Sequence, residues 1–329
     1  MELKGKALFN LLRISWLEDE SIDVKPWHVE DLRQLETPAL FQRLKELGLA
    51  VDAKSFPFYA ENCESPEELV TCLWIDDEDL DGQTRAYLIL FELWRRLFPT
   101  RMTLSIFCDE LDHLIDLYDS GELKEEEPLQ NALTTLEDIL DSSSDEKEKP
   151  KEVFAQISLY CAHDLERFIF DFIFDQIEEG NETYASELLD DFYDYISDKR
   201  LFDFLRARLF MSSDIQRTNL LLERLLSELV EKPDVDFLLL IAESLIHRGD
   251  IRLFMLAIRQ ALGNLKTEEQ FQDILTMVAE YYRCLDREEE EKAVKKLLET
   301  RVARSSSQPV DHSDQALSQF AVLLKPLFQ

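Results

Sequence analysis

The chain has 329 residues, 45% of them hydrophobic, and carries 69 acidic against 36 basic side chains for a formal charge of −33. Such a field repels nucleic-acid phosphates and anionic membranes, and it favours basic partners as well as solubility in its own right. Seven Gly and ten Pro, most of them between periodic segments, disfavour a loop-rich or glycine-dependent nucleotide fold.

Five cysteines, Cys63, Cys72, Cys108, Cys161 and Cys284, lie scattered without a CxxC spacing, as expected of a reducing compartment. Near the start, Lys4 and Lys6 precede a short apolar run that Arg13 and Glu18 to Glu20 interrupt. No small-residue cleavage site follows. The longest apolar runs, such as Phe237 to Ala242, fall well short of the roughly 20 residues a membrane helix needs. The expected location is the cytoplasm, with non-classical secretion as the alternative.

Ala7 to Leu17 reads as a first helix with Leu8, Leu11, Leu12 and Trp16 for packing. A short helix from Pro26 to Leu35 follows, and Thr37-Pro38 starts another that Gly48 ends. Phe56-Pro57-Phe58-Tyr59 reads as an extended or turn-like plug between helices. Ser65-Pro66-Glu67-Glu68 is a helix start with the capping-box spacing. Further helices are expected from Gln83 to Phe98, Thr103 to Tyr118 and Leu129 to Leu140.

The polar run Asp141 to Pro150 reads as a linker or mobile loop. Lys151 to Gly180 reads as a central helix, with Asp164, Arg167, Asp171, Asp175 and Glu178 on one narrow stripe and a broad Phe/Ile/Leu girth that other helices must cover. Beyond it, helices are expected at 184–196, 201–210, 215–230, 235–247, 251–262, 268–284, 289–301 and 316–327, with 305–312 loose. The fold class is therefore all-α, an irregular helical array or α-solenoid. Its expected parts are an N-terminal helical bundle (1–140), the linker (141–150), a helical-hairpin or repeat domain (151–304), and a loose segment with a C-terminal helix (305–329).

Ala242, Leu245, Gly249, Ile258 and Ala261 follow a small, large, turn-glycine, large, small order, and Ala279, Tyr282 and Asp286 continue in a matching register. Over about residues 233–301 the chain resembles the tetratricopeptide repeats, with Phe254 and Asp286 departing from the small residue and the glycine that the pattern asks for. The resemblance implies stacked helix pairs whose extended concave surface binds a peptide or protein.

Chemistry-bearing patterns are sparse. Asp77, Asp79 and Asp81 alternate before Gly82 as in a calcium loop, but the twelfth position is Leu88 instead of an acid. Glu110-x-x-His113 has the helical di-iron spacing without a second such segment, and Glu243-x-x-x-His247 can share a helix face. GxGxxG, P-loop, HExxH and GxSxG patterns are absent from the sequence. No cofactor is implied. The expectation is a protein-binding adaptor, regulator or chaperone that takes a basic or amphipathic segment, with Asp190, Asp191, Asp194, Glu243 and Glu280 as partner-binding residues. A helical metal-binding protein or metalloenzyme using Asp77, Asp79, Asp81, Glu110 and His113, and a structural assembly subunit, stand as alternatives.

Overall fold

Side-chain caps set where most of the helices begin, and many of those caps are aspartates. Asp79, Asp214, Asp234, Asp250 and Asp314 each accept a hydrogen bond from a backbone N–H of the first turn, as do Ser65, Thr103 and Thr267. A carboxylate there satisfies an otherwise orphaned donor and meets the positive end of the helix dipole. Part of the chain's acidity is thus spent on local structure.

The computed structural model describes residues 3–75, 78–143, 149–247, 249–302 and 304–324. Among them are seventeen α-helices, two 3-10 turns and one isolated bridge between Thr267 and Pro309, an all-α arrangement. The chain forms two compact units, Met1–Ile169 with Asp194–Ser197, and Phe170–Tyr193 with Asp198–Gln329. Of the expected linker, residues 144–148 lie outside the described residues, and the described ends, 141–143 and 149–150, belong to the first unit.

The first unit holds α1 (Ala7–Glu18), α2 (Thr37–Glu46), α3 (Phe56–Glu61), α4 (Pro66–Leu73), α5 (Leu80–Leu97), α6 (Leu104–Asp119), α7 (Glu127–Ser143) and α8 (Pro150–Ser158). Helix α5 is its axis: α2 and α4 pack on it, and Leu90, Phe91, Leu93 and Trp94 are fully buried there. The Arg101 guanidinium lies 4.5 Å from the Trp94 ring centroid and donates to the Ala60 and Cys63 carbonyls, tying α3 to the end of α5.

The division between the units falls inside α9 (Leu165–Glu178). The second unit continues with α10 (Glu182–Phe192), α11 (Lys199–Phe210), α12 (Ile215–Glu231), α13 (Val235–Leu245), α14 (Ile251–Gly263), α15 (Glu268–Cys284), α16 (Glu288–Glu299) and α17 (Gln315–Leu323). Helix α11 packs along α12, α13 along α14 and α15 along α16; laterally, α13 meets α15 and α12 meets α14. Aromatic pairs join successive hairpins. Phe204 meets Phe237 at 5.8 Å, and Phe254 stacks on Tyr281 at 4.1 Å, so the bulky residue at the expected small position is absorbed by a neighbouring ring. Helix α17 closes the series through Phe320 on Phe271.

Several expectations are corrected by the structure. The central segment is two helices, α8 and α9, because the loop between them turns to offer the Ala162 and His163 N–H groups to Asp112. Residues 26–35 form two 3-10 turns, Pro26–His28 and Leu32–Gln34, in place of one helix. Phe56–Glu61 is helical, since proline fits a first turn; Phe56 is the plug, while Phe58 is exposed. On α1, Leu8 and Leu11 are exposed, while Ala7, Phe9 and Asn10 face inward and Leu12 and Trp16 are half-buried.

The 305–312 segment is held down: Gln308 and Ser306 carbonyls accept from Glu268 and Glu269 N–H, and Val310 N–H donates to Lys266. Beside it Arg301, 1% exposed, donates to both Glu268 oxygens at 2.5 Å and to Asp314 at 2.6 Å. At the α15 end Asp286 has φ +55°, the left-handed conformation that the turn glycine of the repeat pattern would supply.

Candidate functional site

The side chains of two laterally packed helices define the strongest site. Asp236, Leu240, Glu243 and His247 fall three or four residues apart along α13 and just past its end, so they share one stripe. On α15 the same spacing aligns Glu269, Asp273, Met277, Glu280 and Cys284. The opposite sides of both helices carry the core residues Phe237, Leu238, Ile241, Phe271, Ile274 and Val278, which fixes the stripes outward.

Carboxylates crowd this face. Partial burial and then the charges of Glu269, Asp236 and Glu243 push the Asp273 carboxyl above its ordinary range, so acids from both helices share one field. Asp236 accepts from Gln270 Nε2 at 2.8 Å. Among the described residues Asp236, Glu243, Glu269 and Asp273 have no lysine or arginine partner. Half-buried Leu240 and Met277 lie between the acids, giving an apolar strip with an anionic rim.

The expected partner-binding residues divide. Glu243 and Glu280 come onto this one face, on α13 and α15. Asp190 pairs with Arg206 at 2.6 Å, and Asp191 and Asp194 also take part in contacts. Asp236, Glu269 and Asp273 were not singled out in the sequence, although the i, i+4 spacing of 269 and 273 beside core positions carried the signal.

A second constellation lies in the first unit. Asp109 on α6 receives Lys6 at 3.0 Å, Arg33 at 2.6 Å and the Asn10 amide at 3.0 Å. Burial alone would raise this carboxyl, but Lys6 and Arg33 outweigh it and hold it at about 2. Asp112 accepts from Asn10 Nδ2 and from the Ala162 and His163 N–H groups. His163 bridges Asp112 at 3.1 Å and Asp116 at 3.2 Å; burial pushes it down, yet the two carboxylates hold it up at about 9. Each charge here meets an opposite charge or a donor, which is the signature of a structural centre. The adjoining cleft, of about 30 Å³, has room for a water or two.

Of the metal residues expected from the sequence, Glu110, Asp79 and Asp81 make other contacts. Glu110 pairs with Arg33 at 3.0 Å and Arg95 at 3.1 Å. His113 lines the cleft, its pKa lowered by burial and then by Arg33. Asp79 caps α5 through Gly82 N–H at 2.8 Å, and Asp81 pairs with Lys25. Asp77 lies outside the described residues. No helix among the described residues is long and apolar enough to cross a membrane. No protein-family model, curated protein or solved structure matches the chain.

Proposed function

We propose that the second unit is a protein-binding module of tetratricopeptide-like hairpins that takes a basic, amphipathic segment of a partner along the α13 and α15 face. The observation that carries this reading is the crowding of acids from two adjacent helices around Asp273 without a cation to match them. Lysines or arginines of a partner would relieve that repulsion, and the strip of Leu240 and Met277 would take apolar side chains from the same segment. Attraction from the acidic surroundings speeds encounter and weakens as salt is added. The activity is adaptor, regulatory or chaperone work by binding.

Capture from native lysate with three forms of the full chain tests this. The face variant carries Asp236→Asn, Glu243→Gln, Glu269→Gln and Asp273→Asn; a control of equal net charge carries Glu18→Gln, Glu20→Gln, Glu288→Gln and Glu289→Gln on other exposed surface. A specific partner is expected to be enriched equally by the parent and the control. The face variant should retain about tenfold less or weaker, since each exposed charge contributes roughly 0.2–1 kcal/mol. Equal retention by the face variant, or enrichment no greater than on an unrelated acidic protein, overturns the assignment.

A further inference from the structure

One end of the same two helices gathers three different metal-ligating groups. His247 follows the last turn of α13, while Glu280 and Cys284 sit one turn apart on α15 and therefore project together. Their donor atoms all lie within 4.8 Å of one another. The distance from Cys284 Sγ to His247 Nδ1 is 3.4 Å. A tetrahedral zinc ion, with Zn–S near 2.3 Å and Zn–N near 2.0–2.1 Å, separates its sulfur and nitrogen donors by about 3.5 Å. The two side chains already stand at the separation that one shared ion imposes.

We infer that His247, Glu280 and Cys284 form a three-ligand site for a divalent d-block cation, zinc foremost, with a fourth position open to water. Thiolate, imidazole and carboxylate together select zinc over magnesium or calcium, which take oxygen ligands. The surroundings favour a cation. Both helices end here, and helix C-termini carry partial negative charge. Glu243 lies one turn before His247 on the acidic stripe. Arg283 pairs with Glu280 through one carboxylate oxygen only. The imidazole binds through Nδ1 in its neutral form, and Cys284 gives up its thiol proton to solvent as the Zn–S bond forms, so affinity rises with pH. This site does not rest on the partner-binding proposal, since its ligands are complete within this chain.

The test uses the full chain stripped with a chelator and titrated with zinc in excess magnesium, which occupies non-specific acidic surface. One equivalent should bind. Cys284→Ser and His247→Ala should each weaken it about tenfold or more, because even the outer partners of metal ligands cost 10–100-fold when removed. Cys72→Ser, the other exposed cysteine, should leave it unchanged. Cobalt in place of zinc should give a sulfur-to-metal charge-transfer band in the near ultraviolet that Cys284→Ser abolishes. Circular dichroism of each variant separates loss of a ligand from loss of fold, and all three positions are at or near the surface. Zinc binding that is absent, or that survives Cys284→Ser and His247→Ala unchanged, overturns the site, as does a charge-transfer band that persists without the Cys284 thiol.

Discussion

The Asp109 and Asp112 centre of the first unit and the α13 and α15 face of the second use the same side-chain chemistry for opposite ends. In the first, each carboxylate is buried and surrounded by lysine, arginine, amide or backbone N–H groups. On the second, carboxylates from two helices face outward, and partial burial and then the neighbouring acids raise the proton affinity of Asp273. A charge of −33 is therefore not one property of the molecule. Acids matched inside hold elements together, and acids left unmatched outside store repulsion that a cationic ligand can relieve.

The sharpest way to break this contrast is to remove a matched carboxylate. Asp109→Ala leaves half-buried Lys6 without its counter-charge and Arg33 with Glu110 alone, and should cost about 3 kcal/mol of stability by urea denaturation. A loss within the range of a surface substitution would mean that the centre is not structural.

The pH dependence of stability comes next. The folded-state pKa of His163 is raised from 6.5 to about 9, so its contribution is complete below pH 6.5 and is lost as pH rises through about 9. His163→Gln should flatten that part of the profile. Asp109, depressed to about 2, acts with the opposite sign: its contribution stands above pH 3.8 and disappears as pH falls through about 2.

The smallest effect belongs to the exposed face. Asp273→Asn removes repulsion and breaks no ion pair, so stability should rise by a few tenths of a kcal/mol after screening. The same conservative change of acid to amide at Asp109 should be destabilising. Destabilisation at both positions would show that Asp273 is matched in solution, and the contrast between the regions would then fail.

How far the sequence could be read follows the range of the forces involved. Caps are local, and Ser65, Thr103 and Thr267 stand where their side chains bond the next turn, so helix starts were legible to within a few residues. The hairpins beyond residue 199 were legible for a similar reason, since apolar periodicity marks each buried stripe. The extent of helix α1 was legible but its inward face only in part: Asn10, and Lys6 just before the helix, meet buried carboxylates, and hydrophobic spacing carries no sign of that. The break between α8 and α9 was hidden likewise, its cause being an aspartate about 50 residues earlier in the chain.

The candidate sites show the same limit. Glu243 could be picked as an exposed acid on a helix, but its shared field with Asp236, Glu269 and Asp273 exists only once α13 lies beside α15. His247 and Cys284 are 37 residues apart, the spacing that also separates Ala242 from Ala279, so the period hinted at a shared register without bringing the side chains together.

By itself the sequence determined the all-α class, most of the helices and a strongly negative net charge, because caps, periodicity and net charge act within a few residues or by simple summation. Tertiary structure alone decided which carboxylates are matched and which are left crowded, and that an imidazole and a thiol meet at hydrogen-bonding distance. Those are pairings between distant segments, set by how the helices pack.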